Sequence, residues 1–157
     1  MPLHFTLVTP ERMVFEEKVA AVTLPTAEGE ITVLPKHMPL VALLKAGVAV
    51  LLKPDGTKED VAVSGGFIHV SADDRVTVLA DTAERGLELT LEVIVEAKQR
   101  AAELMQQKRF ADDTAYAQAA AALERELARY KAAVRHRARK GLPTIEQANL
   151  PAEENPL

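Results

Sequence analysis

Over the first half of the chain, apolar and polar positions alternate in twos. In the stretch LHFTLV, Leu3, Phe5 and Leu7 alternate with His4, Thr6 and Val8. The runs KVAAVTL, EITVL, GVAVLLK, DVAVS, GFIHV and RVTVLA are short and rich in β-branched residues, which fit a pleated, half-buried surface. Turn formers separate them: Thr9-Pro10, Pro54-Asp55-Gly56, Gly65-Gly66 and Asp73-Asp74. Many short strands at near-even spacing predict an all-β sandwich or barrel over residues 1–86. Several runs are apolar on both faces, as expected where two sheets pack together. Pro54-Asp55-Gly56 is expected to close a hairpin.

From residue 87 to 140 the period changes. No proline and no glycine interrupts this segment. Tyr116, Ala120, Leu123, Leu127, Tyr130 and Val134 recur at steps of four and three, a helical stripe. Leu87, Leu91, Ile94, Ala101 and Met105 form a second stripe, broken by Lys98. Asp112 or Asp113 can cap the second helix, and Gly141 followed by Pro143 ends it. The expected fold is therefore α+β: a sandwich, then an antiparallel two-helix hairpin over 87–140. Residues 141–157 carry three prolines, three acids and no periodicity, and are expected to form a disordered acidic tail.

The hairpin is rich in alanine, with Ala119 to Ala122 in one turn. Alanine favours the helix, yet a buried methyl contributes only about 0.8 kcal/mol against about 1.5–3 for a leucine. Each helix should be robust and its docking weak. A detachable switch and a permanently packed hairpin both satisfy this.

Composition narrows the chemistry. The 157 residues are enough for one compact domain with an appendage, and 48% are hydrophobic. Without cysteine there are no disulfides or thiolate metal sites. The N-terminus lacks the pattern of a signal peptide, and no apolar run is long enough to span a membrane, so a soluble, cytosolic protein is expected. The net charge of −4 is uneven. Residues 124–140 hold seven bases and two acids, a basic block in an acidic protein.

Candidate catalytic chemistry is sparse. His4, His37, His69 and His136 show no metal-ligand spacing. Ser64-Gly65-Gly66 lacks the Lys-Ser/Thr of a phosphate loop and precedes a strand, which points to a turn or bulge. Nothing suggests an autonomous enzyme or a cofactor. In the basic helix, Arg137, Arg139 and Lys140 suit the helix dipole. Arg125 and Arg129 lie mid-helix on one face and could clamp a phosphate or meet an acidic surface. A stand-alone binding module whose basic helix contacts nucleic acid is the alternative. The acidic total, and the lack of aromatics in the patch beyond Tyr130, weigh against it.

Specific residues carry a resemblance. FTLVTPERMVFEEKVAAVTLPTAEGEITVLPKHMPL, VSGGFIHV and VTVLADTAERG are similar to the epsilon subunit of the F-type rotary ATP synthase. Gly29-Glu30, the pattern Leu34-Pro35-x-His37-x-Pro39-Leu40, Ser64-Gly65-Gly66 and Leu79-Ala80-Asp81 follow the family's order and spacing. The resemblance spans about residues 3–140. It implies a ten-stranded sandwich followed by a helical hairpin. It also implies a non-catalytic place in the central stalk of a proton-translocating synthase, at the cytoplasmic face of the bacterial inner membrane. The sandwich would bind the gamma subunit and sit on the ring of c subunits, with Glu30 and His37 at the ring. The hairpin would extend along gamma toward the alpha and beta subunits and inhibit ATP hydrolysis, with Arg125 and Arg129 approaching an acidic segment of beta.

One part of the family pattern is missing. Many bacterial relatives begin the first helix with an ATP-binding motif: Ile or Leu, Asp, two variable residues, Arg, Ala. Here that position reads LTLEVI. Leu89 fits, but Thr90 replaces the aspartate, Val93 the arginine and Ile94 the alanine. Val93 cannot hold a phosphate, so little or no ATP binding is expected. In the loop, Pro35 and Pro39 fix φ and stiffen the backbone around His37. A stiff loop suits a part that transmits torque, and packing of His37 on its own sandwich is the alternative.

Overall fold

The computed structural model describes residues 1–107 and 113–142. Ten strands come first: β1 (Leu3–Val8), β2 (Met13–Val19), β3 (Ala21–Thr26), β4 (Gly29–Val33), β5 (Leu40–Leu44), β6 (Gly47–Leu52), β7 (Lys58–Val63), β8 (Gly66–Val70), β9 (Arg75–Ala80) and β10 (Ala83–Arg85). A 3₁₀ turn at Gly86–Glu88 leads into α1 (Leu91–Gln107) and α2 (Asp113–Arg139).

The strands hydrogen-bond in the order β10-β7-β6-β3-β5-β8-β9-β1-β2, with β4 also on β3. The β3–β5 junction is a single residue pair, Thr26 with Leu44. There the ribbon folds into two layers, β10-β7-β6-β3-β4 and β5-β8-β9-β1-β2. Among the described strands, only the β1–β9 pairing is parallel. The main core lies between the layers and includes Leu3, Phe5, Leu7, Leu24, Leu51, Val61, Ile68 and Val78. Every fully buried member of it falls between Leu3 and Ala83, so the sandwich closes its interior without the helices.

The expected turns are present. Gly56, at φ +85°, sits where a side chain would be strained. Lys53 N–H donates to Thr57 O at 2.8 Å, closing the hairpin. A Cβ on Gly66 would lie 1.8 Å from the Leu79 carbonyl oxygen. The Ser64-Gly65-Gly66 motif is thus a close-packed entry into β8. Ser64 Oγ accepts from the Thr82 N–H at 2.9 Å, tying that entry to the start of β10.

The helical stripes differ from the periodic expectation. On α2 the buried residues are Ala119, Glu126, Ala128, Ala132 and Ala133. Tyr116 and Leu127 are exposed, as is Leu87 ahead of α1. The reason is close approach: a Cβ on Gly86, in the turn after β10, would sit 3.0 Å from His136 Cβ and 3.2 Å from Ala132 O, and Ala132 and Ala133 pack on Val48 and Ala62 of the sheet. Small side chains fill that seam, and Tyr116 and Leu127 turn away from it, while Tyr130 packs against it partly buried. Ile94 is buried as expected. The side chains of Leu91, Val93, Lys98, Ala101 and Met105 fall outside the described set, as do Asp112 and the tail from Pro143. Gly141 stops α2 at φ +66°, with Leu142 N–H bonded to Arg137 O at 3.0 Å, as in a Schellman cap.

Candidate functional site

Strand β4 and the loop after it carry the first candidate residues. His37 N–H donates to Leu34 O at 3.1 Å, and the His37 ring Nδ1 lies 2.7 Å from Met38 O. Lys36 takes φ +65°, and its N–H reaches Asp74 Oδ1 at 2.5 Å. The loop is therefore fastened to the β8–β9 turn. His37 is half-buried, while Leu34 and Met38 are exposed beside it. Glu30 is exposed near the start of β4, at the end where Thr26 pairs with both Gly29 and Leu44. Glu30 and His37 thus lie at opposite ends of β4 and do not meet. Glu30 instead lines a groove of about 270 Å³ with Lys45, Lys131 and Arg135.

The outer face of the second layer is apolar. Leu43 pairs with Phe67, Phe67 with Leu79, and Leu79 with Val8. Alternation turns these side chains away from the core. Leu43 and Phe67 are each 56% exposed, Leu79 52%, and Val41, two residues before Leu43, 69%. A row of apolar side chains crossing four strands in solvent marks an interaction surface. The row was not singled out in the sequence, because an outward Phe67 looks no different there from an inward Ile68.

Helix α2 lies across the opposite face, on β6 and β7. Val48, Ala62, Leu89, Ile94, Ala132 and Ala133 form a small second core there. Leu89 and Ile94, two positions of the degenerate motif, are packing residues of this seam. Thr90 is exposed just before α1.

Beside the alanines stands a set of charges. Asp60 on β7 is fully buried, and both its oxygens accept from Arg139: Nε at 2.6 Å to Oδ2 and Nη2 at 3.1 Å to Oδ1. This hydrogen bond raises the Arg139 pKa above its ordinary value. Arg129 is mostly buried, with Nε 3.0 Å from Glu84 of β10 and Nη1 3.0 Å from buried Glu126. Arg125 is more exposed, 3.9 Å from the same Glu126. Of the two arginines expected to reach a partner, one is engaged inside the chain.

A second charged set closes one end of the sandwich. Glu59 meets Arg85 at 2.6 Å and Lys53 at 3.1 Å, and Lys53 also reaches Glu17 at 3.4 Å. The Arg85 guanidinium lies 4.3 Å above the Phe15 ring. Burial pushes the Glu59 pKa up, but hydrogen bonds from Arg85 and Lys53 outweigh it and hold the carboxyl below its usual value.

Among the described residues, no group of three or more His, Asp or Glu is placed to hold a metal. No described helix is long and apolar enough to cross a membrane. A groove of about 730 Å³ runs between the Gly65-Gly66 end of the sandwich and the first half of α2, with Leu43, Phe67 and Arg125 in its wall.

Residues 2–86 match the family model described as the ATP synthase, Delta/Epsilon chain, beta-sandwich domain. The ATP synthase epsilon chain of Moorella thermoacetica is 41% identical over 83% of this chain and 96% of its own length. That of Nitrosococcus oceani is 38% identical over 90% and 99%. Among solved structures, a chain of the Euglena gracilis mitochondrial ATP synthase OSCP/F1/c-ring assembly aligns with a TM-score of 0.71 at 28% identity. It covers 84% of this chain and 81% of its own.

Proposed function

This chain belongs to the delta/epsilon family of ATP synthase subunits, and from that premise we propose that it is a rotor part whose two faces do different work. It is an epsilon-type, non-catalytic subunit matching central-stalk components. Its sandwich docks on the gamma subunit through the outer face bearing Val41, Leu43, Phe67 and Leu79. That exposed apolar row is the observation that carries the proposal, since a lone monomer gains nothing from keeping it in water.

Glu30 and His37 face the c-subunit ring, and the two proline-flanked ends of the His37 loop keep that contact stiff. The pinning of Lys36 N–H by Asp74 supports this stiffness. The complex is a proton-translocating synthase at the cytoplasmic face of a bacterial inner membrane, and this chain is peripheral to the membrane. The hairpin inhibits ATP hydrolysis when it leaves the sandwich and presents Arg125 and Arg129 to the alpha and beta subunits. Arg129 would first have to leave Glu84. The pairing of Arg129 and Arg139 with carboxylates of the same chain also speaks against a basic arm built for nucleic acid.

Co-expression with gamma is the test. A one-to-one complex that survives 0.5 M salt, in which apolar contacts persist (roughly 4 Å Debye length), is expected. Retention on DNA or RNA that falls steeply with salt, with no gamma complex, would instead establish the nucleic-acid module.

A further inference from the structure

Taking the hairpin as a movable arm, as proposed above, we infer that Asp60 and Arg139 form the latch that holds α2 on the sandwich. The latch selects the one register in which the helix can close, and so governs how much of the hairpin is free to inhibit.

Placement makes the case. Along β7, Val61 and Val63 point into the main core, while Ala62 belongs to the seam under α2. By alternation Asp60 shares the outward face with Ala62. Its carboxylate is fully buried because the helix lies over it. A carboxylate closed off from water without a partner is strongly unfavourable. Helix α2 can therefore settle on β7 only when Arg139 arrives with it and occupies both oxygens. In the open state Asp60 lies on a bare sheet face and Arg139 at a helix end, and water satisfies both. The pair thus adds little net attraction but excludes any docked register that lacks it.

The alanines of the seam cannot supply this selectivity, and Glu84, the sandwich partner of Arg129, is 36% exposed, so leaving it unpaired costs far less than stranding buried Asp60. Alanines at 128, 132 and 133 present nearly the same surface after a shift of one turn. Arg129 adds a second consequence. While docked it is held by Glu84 and Glu126, so the docked hairpin cannot also offer that guanidinium to a catalytic subunit. Docking and inhibition compete for one side chain.

The experiment uses the full-length chain, with amide hydrogen exchange followed over residues 126–137. Arg139→Gln strands Asp60 and should speed exchange there by at least roughly tenfold, while the β-strand amides stay protected. The double variant Asp60→Asn/Arg139→Gln removes the stranded charge and should return exchange to within about threefold of the parent. Arg139→Gln exchanging no faster than the parent, or the double variant as fast as Arg139→Gln, overturns the latch. In the assembled synthase, Arg139→Gln should hydrolyse ATP more slowly than the parent. If exchange behaves as expected while hydrolysis does not change, the latch stands and the inhibitory role of the hairpin fails.

Discussion

Replacing Phe67 by alanine should weaken the gamma complex about thirtyfold. A phenylalanine offers roughly 200 Å² of surface, and Phe67 is 56% exposed, which leaves roughly 110 Å² for a partner to cover. At about 25 cal/mol per Å² that is about 2.8 kcal/mol. Alanine keeps a methyl worth about 0.8 kcal/mol, so the loss is about 2 kcal/mol, or about thirtyfold in Kd. Calorimetric titration of gamma with each purified chain measures this directly. Phe67 faces away from the core, so thermal unfolding of the free chain should change by no more than about 0.5 kcal/mol. Leu34, just after β4 in the other layer, is 55% exposed and off the row, so Leu34→Ala should leave Kd within about twofold. A Phe67→Ala chain that binds gamma like the parent, or a Leu34→Ala chain that loses as much, would refute the assignment of the docking face.

Other consequences can be checked on the isolated chain. Gly66→Ala would drive a Cβ to 1.8 Å from the Leu79 carbonyl, and since backbone must move, unfolding should show a loss of about 3 kcal/mol or more. Glu59→Gln should cost about 1–3 kcal/mol at pH 7. Because the folded pKa of Glu59 lies below its ordinary 4.5, the parent's advantage is full above that value and fades as pH falls through the lower folded value. Denaturant titrations at pH 7 and pH 3 should show the gap closing, and a gap that stays constant would contradict the ion-pair origin. Titration with ATP should show no micromolar binding, since Thr90 and Val93 replace the motif's aspartate and arginine; a measured micromolar Kd would refute this.

The architecture was legible because it is written in periods. Alternation placed the strands, and an uninterrupted helical stretch closed by Gly141 placed α2. What escaped was orientation. Tyr116 and Leu127 looked like the buried stripe of α2 because large apolar residues dominate a periodicity count. The seam against Val48 and Ala62 is filled instead by Ala132 and Ala133, so size selected the other face. Asp60 and Arg139 are 79 residues apart. No local pattern joins them, although one carboxylate amid an outward apolar face and a surplus of arginines at a helix end were both visible. Glu30 and His37 were named together through the family resemblance, and only the strand bounds show that one lies near the start of β4 and the other beyond its end.

The most direct measurement compares ATP hydrolysis by the synthase assembled with the full chain and with residues 1–86 alone. The main core lies wholly within that fragment, so the sandwich should still fold and bind gamma. Hydrolysis should rise severalfold when the hairpin is absent, while ATP synthesis driven by a proton gradient stays near the parent rate. Equal hydrolysis rates in the two assemblies would contradict an inhibitory hairpin, and loss of synthesis would contradict a sandwich that suffices for coupling.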